Sequence, residues 1–118
     1  MKKPTKADFN AFKKEFLRCV DVMGLHEWRI TFEFCPLKEV FADIETQSAD
    51  FIAHVRMTSD FGDASDAECF NPVQHGRHEA AHLMTSRLCY IARSRYIRSD
   101  DISEEWERVT RLIQRLLA

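Results

Sequence analysis

The segment His78-Glu79-Ala80-Ala81-His82 combines the residue types and the spacing of a zinc site. Two histidines four positions apart on a helix lie about one turn from each other on the same side, so both imidazoles can bind one metal ion. Glu79 lies ~100° around the helix from His78, where its carboxylate can reach a metal-bound water without binding the metal. The spacing therefore predicts that His78 and His82 bind Zn²⁺ and that Glu79 is a general base.

A zinc site that performs hydrolysis needs a third protein ligand and an open position for water. No histidine follows His82 in the sequence, which excludes the motifs with a downstream third histidine. Cys89 lies seven residues after His82, about 10 Å farther along the same helix. This distance is too large for both residues to bind one zinc ion. Among the carboxylates near the C-terminus, Glu105 lies at the edge of an apolar stripe, whereas Glu104 and Glu107 lie on the opposite, charged side. We expect Glu105 to be the third ligand; the alternative is a boundary carboxylate paired with an arginine.

Three helices are predicted from the spacing of apolar residues. The first covers about 5–23. The dipeptide Asn71-Pro72 has the N-cap and first-turn residues of a second helix, which carries the histidines and runs to about Arg95. The third covers 100–117. The apolar residues that share one side are Phe9, Phe12, Phe16, Leu17, Val20 and Met23 in the first helix, and Ile102, Trp106, Val109, Leu112, Ile113, Leu116 and Leu117 in the third.

Between the first two helices, apolar and polar residues alternate in a way that is typical of strands. The alternation covers 28–34, stops at Pro36, and recurs at 40–47 and 51–58. We expect an antiparallel meander of these segments, followed by a loop at 59–69. Segment 51–58 is the expected edge strand, where an extended peptide could pair.

Composition and charge indicate one domain that covers residues 1–118. The chain is 45% hydrophobic with a formal charge of −2, which disfavours a nucleic-acid partner. No apolar run reaches the ~18 residues of a membrane span, and residues 1–20 lack the apolar core of a signal peptide. The four cysteines match neither a zinc knuckle nor a disulfide framework. We expect a cytoplasmic protein with free thiols and no membrane partner.

The motif and the order of the elements resemble the compact zincin-like metallopeptidase domains of bacteria and phages, of the gluzincin type, which are remotely similar to the ImmA/IrrE-like group. The shared features are the strand with Trp28-Arg29-Ile30, the HEAAH helix and the closing segment Glu104 to Val109. The resemblance implies an α+β fold with an N-terminal helix, a small antiparallel sheet of three or four strands, the HExxH helix and a C-terminal helix. It also implies His78, His82 and Glu105 as ligands and Glu79 as the catalytic residue.

The expected activity is hydrolysis of a peptide or protein substrate. A zinc-bound water with a pKa near ~7 would attack the peptide carbonyl while Glu79 takes its proton and then passes it to the leaving amine. The candidates for a further oxyanion donor are His54, His75, Tyr90 and Tyr96.

Two other functions are compatible with the same residues. One is a metal-stabilised interaction module, for example a phage accessory protein, that binds the ion without turnover. The other is a nucleic-acid-associated protein that uses the basic cluster Arg87, Arg93, Arg95 and Arg98. A solvated helix end explains that cluster better, because positive charge complements the helix dipole there.

Overall fold

The computed structural model describes residues 3–62, 67–94 and 96–116. The elements are helix α1 (Lys6–Met23), strands β1 (Arg29–Cys35), β2 (Ala42–Gln47) and β3 (Ile52–Thr58), a short 3-10 helix (Ala67–Cys69), and helices α2 (Pro72–Arg93) and α3 (Ser99–Leu116). The predicted α+β class is confirmed, and so are the three helices and three strands. The predicted helix ends at Arg95 and Leu117 lie outside the described residues. No described helix is long and apolar enough to cross a membrane.

The sheet is mixed, with the strand order β1-β3-β2. β1 pairs with β3 in parallel, and β2 pairs with β3 antiparallel, so the predicted antiparallel meander is wrong. The chain between β1 and β2 passes across the end of β3, where the Thr58 amide donates to the Phe41 carbonyl at 2.8 Å. The Leu37 amide donates to the Thr58 hydroxyl at 3.2 Å. β3 is consequently the central strand and not the expected edge, and the edge near the histidines is β2.

One face of the sheet and the three helices enclose the core. Ala53, Val55 and Met57 of β3 are fully buried, because alternate residues of a strand point to the same side. The phenylalanines of α1 pack onto the same side: Phe9 stacks on Phe34 at 5.0 Å between ring centroids. Phe16 and Phe32 meet edge to face at 5.4 Å. The opposite sheet face is polar and carries His54.

The apolar residues that were predicted to share one side of α1 and of α3 are only partly buried. Leu17 of α1 is 48% exposed, although the other apolar residues of its predicted set are buried. In α3 the buried residues are Glu105, Val109 and Leu112, so most of the predicted stripe faces solvent. The reason is the rotation of α3 about its axis, which helical spacing alone does not determine.

Gly76 lies where the backbone of α2 packs directly against the backbone of α1. A Cβ atom at this position would be 2.6 Å from the backbone carbonyl oxygen of Phe12, and backbone cannot move aside as a flexible side chain can. The absence of a side chain at Gly76 therefore sets the distance between the two helices.

We expect Gly76→Ala to destabilise the protein by ~1–3 kcal/mol through overpacking. The usual effect is the opposite, because Gly to Ala within a helix stabilises by ~0.5–1 kcal/mol. Chemical denaturation gives the free energy of unfolding, and Gln74→Ala, at an exposed site of the same helix, is the control. A Gly76→Ala protein as stable as wild type would show that the helices do not depend on this contact.

Glu15 connects α1 to α2 by ion pairs. Its carboxylate is buried and accepts from Arg18 of α1 and from Arg77 of α2, at 2.7 Å for the latter. The hydrogen bonds from Arg18 and Arg77 lower the pKa of Glu15 below its ordinary value of 4.5, although burial opposes them. The ionised carboxylate therefore stabilises the folded protein.

We expect Glu15→Gln to lower the free energy of unfolding at neutral pH by about 1 kcal/mol, because both arginines are largely exposed to solvent. The stabilisation by Glu15 is complete above its ordinary pKa of 4.5 and is lost as pH falls through the lower folded value. Denaturation measured at pH 7 and at lower pH should show that the difference in free energy of unfolding between Glu15→Gln and wild type becomes smaller as the pH falls. A difference that is the same at every pH, or one also found for the exposed Glu104→Gln, would contradict this account.

Candidate metal centre

The two motif histidines meet on the surface of α2. The helix begins with Asn71 as N-cap, whose side chain accepts from the Gln74 amide at 3.1 Å. Within the helix, the Nε2 atoms of His78 and His82 are 3.0 Å apart. Two nitrogens of a tetrahedral zinc site, each ~2.0–2.1 Å from the ion, lie about 3.3 Å apart. The pair therefore has the spacing needed for two positions of one ion.

Glu79 lies beside this pair but is buried, with only 6% of its surface exposed. Burial raises the pKa of Glu79 above its ordinary value, His78 opposes this rise, and the nearby Asp43 adds to it. A raised pKa makes this carboxylate a stronger base than an exposed glutamate, which suits it to accept a proton.

An open cleft of about 760 Å³ separates α2 from the edge strand β2. Both histidines and Glu79 line it on the helix side, and Asp43, Ile44 and Thr46 line it on the strand side. The helix and the strand run in the same direction: Phe41 contacts His75 at one end, and Arg87 donates to the Ser48 carbonyl near the other. The cleft can therefore admit an extended chain between them.

Aromatic side chains pack the start of α2 against the residues that precede β2 and the residues that follow β3. Phe41, Phe61, Phe70 and His75 have ring centroids 5.1–5.7 Å apart in their contacting pairs. Burial, and secondarily the charge of His78, lowers the pKa of His75 below its ordinary value. His75 thus serves as part of an aromatic cluster, and it is not among the residues lining the cleft.

The structure does not bring Glu105 to the histidines. Its buried carboxylate lies 3.1 Å from a guanidinium nitrogen of Arg108 and 3.5 Å from Nε of Arg87. Arg87 is nine positions after His78, which places it on the opposite side of α2. Glu105 does not line the cleft, and its contacts are those of the alternative weighed from the sequence, a carboxylate paired with arginines.

The other residues that the sequence offered as ligands or oxyanion donors do not lie together. Tyr90 and Cys89 line the cleft, whereas Tyr96 is 91% exposed. His54 lies on the polar sheet face, hydrogen-bonded to Thr31 and Glu33. Across residues 3–62, 67–94 and 96–116, no three His, Cys, Asp or Glu side chains are gathered closely enough to hold a metal ion.

Two residues have positions that the sequence did not reveal. Asp43 lies on the strand side of the cleft, and its carboxylate pairs with Arg56 of β3. No sequence signal marks it, because the position of β2 beside α2 depends on the sheet order. Arg87 belongs to the predicted basic cluster, yet its side chain is only 23% exposed and its guanidinium lies 4.4 Å from the Phe51 ring centroid. It therefore adds little to a basic surface.

No protein-family model, curated protein or solved structure matches this chain. The resemblance to zincin-like metallopeptidases consequently rests on the HEAAH motif and on the order of the elements.

We expect wild-type protein to bind one zinc ion, and His78→Ala or His82→Ala to weaken binding by more than ~100-fold, because either change removes one of two convergent imidazoles. Elemental analysis after dialysis, with calorimetric titration, measures both quantities. His54→Ala is the matched control, since His54 lies on the other face of the sheet. Equal zinc content in wild type and both variants would place any bound metal elsewhere.

Proposed function

We propose that this chain is a zinc-dependent hydrolase of peptide bonds, with His78 and His82 as metal ligands and Glu79 as general base. The supporting observation is the pair of Nε2 atoms 3.0 Å apart beside a buried carboxylate on the wall of an open cleft. Two imidazoles and a nearby carboxylate base are the donor set that hydrolytic zinc sites use.

A carboxylate is the third ligand in this proposal, and two residues are candidates for it. Glu105 is the expectation from the sequence; to bind the ion it must leave Arg87 and Arg108, which requires α3 to move. Asp43 already lines the cleft, and it must leave Arg56 to bind the ion. Zinc content of Glu105→Ala and Asp43→Ala identifies the ligand, with Glu104→Ala as the exposed control.

Different parts of the chain have different roles in the proposed reaction. A zinc ion held by the histidines would supply a Lewis acid for water and for the peptide carbonyl. Glu79, held in place by burial, accepts a proton from the attacking water and returns it to the departing amine. The outer edge of β2 offers unpaired backbone groups with which an extended peptide can pair, so the cleft orients the substrate through main-chain hydrogen bonds.

We expect Glu79→Gln to reduce peptide hydrolysis by at least ~100-fold while zinc stoichiometry stays the same, since the amide cannot accept the proton and does not bind the ion. A quenched-fluorescent peptide library gives the rate, and elemental analysis gives the metal content. Glu104→Gln, on the exposed side of α3, should retain both. Undiminished hydrolysis in Glu79→Gln would remove Glu79 from the mechanism.

One observation favours a second function, that of a metal-stabilised interaction module. The Glu105 carboxylate forms ion pairs with two arginines, Arg87 and Arg108. With that network intact, the ion would have two described protein ligands and would stabilise the fold without turnover. The two functions predict different results for wild type. Zinc that raises the midpoint of thermal unfolding, without hydrolysis of any library peptide, supports the interaction module.

A further inference from the structure

The cleft between α2 and β2 continues well past the histidine pair. On the helix side, its lining residues recur at helical spacing from His78 and His82 through Thr85, Ser86, Cys89 and Tyr90 to Arg93. Arg93 follows His82 by eleven positions, which is three helical turns plus about 20°. It therefore lies on the same side of the helix as His82, about 16 Å farther along the axis. The cleft thus connects the histidines to an arginine near its other end.

Charge differs between the two ends of the cleft. The carboxylates that line it, Asp43 and Glu79, are at the histidine end. Beyond them the polar lining side chains carry hydroxyl, phenol or thiol groups, and Arg93 is the one lysine or arginine among the described residues that line the cleft. A negatively charged group in the cleft is therefore attracted to Arg93, with no lining carboxylate nearby to repel it.

The guanidinium of Arg93 is available to a ligand. Several other arginines of α2 and α3 already pair with carboxylates of the chain, namely Arg77, Arg87, Arg108 and Arg111. Within residues 3–62, 67–94 and 96–116, Arg93 has no such partner, and it is exposed. Its place in the last turn of α2 explains a positive charge at the helix end, but it does not explain the position of this side chain on the cleft wall.

Tyr90 adds a second donor beside Arg93. It lines the cleft, is 49% exposed, and precedes Arg93 by three positions. Side chains at this spacing are neighbours on a helix surface, with Cβ atoms about 5–6 Å apart. A guanidinium offers paired N–H donors that match the two oxygens of a carboxylate, and a phenol hydroxyl can donate one further hydrogen bond. The two side chains together provide the donors for one carboxylate.

The distance between the two ends of the cleft corresponds to several residues of substrate. An extended chain advances ~3.3 Å per residue, so about five residues span the ~16 Å between His82 and Arg93. A peptide that pairs with the β2 edge, and whose scissile bond lies at the histidine pair, brings the residue about five positions away to Arg93.

We propose that Arg93, together with Tyr90, binds a carboxylate of the substrate about five residues from the scissile bond. The carboxylate belongs to an acidic side chain or to a free C terminus at that distance. This inference rests on the proposed function, because it names the substrate class of the same cleft. Binding of the carboxylate requires neither the metal ion nor Glu79, since Arg93 lies at the other end of the cleft, so it can be measured without turnover.

Binding of short peptides to the full chain without added metal tests this proposal. The probe is a fluorescent peptide of about ten residues, long enough to span the cleft, with blocked ends and one glutamate as its only charge. A second peptide carries glutamine in place of the glutamate, and a third carries glutamine and a free C-terminal carboxylate. We expect fluorescence anisotropy to show at least ~5-fold tighter binding of the glutamate peptide, or of the peptide with the free carboxylate, than of the blocked glutamine peptide at low salt. The preferred peptide identifies the source of the carboxylate.

Three variants test the role of Arg93 in this preference. Arg93→Gln should abolish it and leave binding of the blocked glutamine peptide unchanged. Arg98→Gln is the control, because it removes the same charge at an exposed site that does not line the cleft, and it should keep the preference. Arg93→Glu should bind a lysine peptide more tightly than the glutamate peptide, a reversal that a merely structural role of Arg93 cannot produce. Circular dichroism confirms that the variants are folded.

Equal binding of the three peptides by wild type, or no binding of any of them, overturns the proposal. A preference that survives Arg93→Gln, or that is lost equally in Arg98→Gln, also overturns it. Hydrolysis of the same peptides with zinc separates this inference from the proposed function. Binding that depends on Arg93 without hydrolysis removes the peptidase and keeps the carboxylate site, whereas hydrolysis with equal kcat/KM for the three peptides keeps the peptidase and removes the role of Arg93.

Discussion

The close contact of α2 with α1 at Gly76 is the constraint on which the rest of the structure depends. Gly76 brings the α2 backbone against the Phe12 carbonyl, and Ala80 and Leu83 continue the same buried side of the helix. Because a helix is rigid, fixing one side in the core determines where the others point. His78 and His82 consequently face the cleft, and Glu79 lies at the boundary between cleft and core.

The order of the sheet completes the cleft. If the strands had formed a meander, β2 would have been central and its backbone groups would have been paired on both sides. The crossing of the chain over the end of β3 instead leaves β2 at the edge beside α2. This single topological feature gives the histidines an opposing wall, brings Asp43 to the cleft, and leaves backbone donors and acceptors available to an extended peptide.

The contacts of Glu105 explain the position of α3. A buried carboxylate needs compensating charge, and Arg87 of α2 and Arg108 of α3 supply it. Arg87 also packs on Phe51 and donates to the Ser48 carbonyl, so one arginine connects α3 to α2 and to the turn before β3. With Glu105 turned inwards, α3 buries Val109 and Leu112 and presents Trp106 to solvent. The ion pair and the exposed apolar stripe therefore have the same cause, the rotation of the helix.

The sequence by itself determined the elements and the histidine pair. Capping at Asn71, the alternation in β1 and the four-residue spacing of His78 and His82 act over a few residues, so they can be read without knowledge of the fold. Only the tertiary structure decided the strand order, the place of Asp43, the arginine partners of Glu105 and the exposure of most of the apolar residues of α3. These features depend on how elements far apart in the chain pack and rotate against one another, and a periodic pattern shows that a helix or strand has an apolar side but not which neighbour covers it.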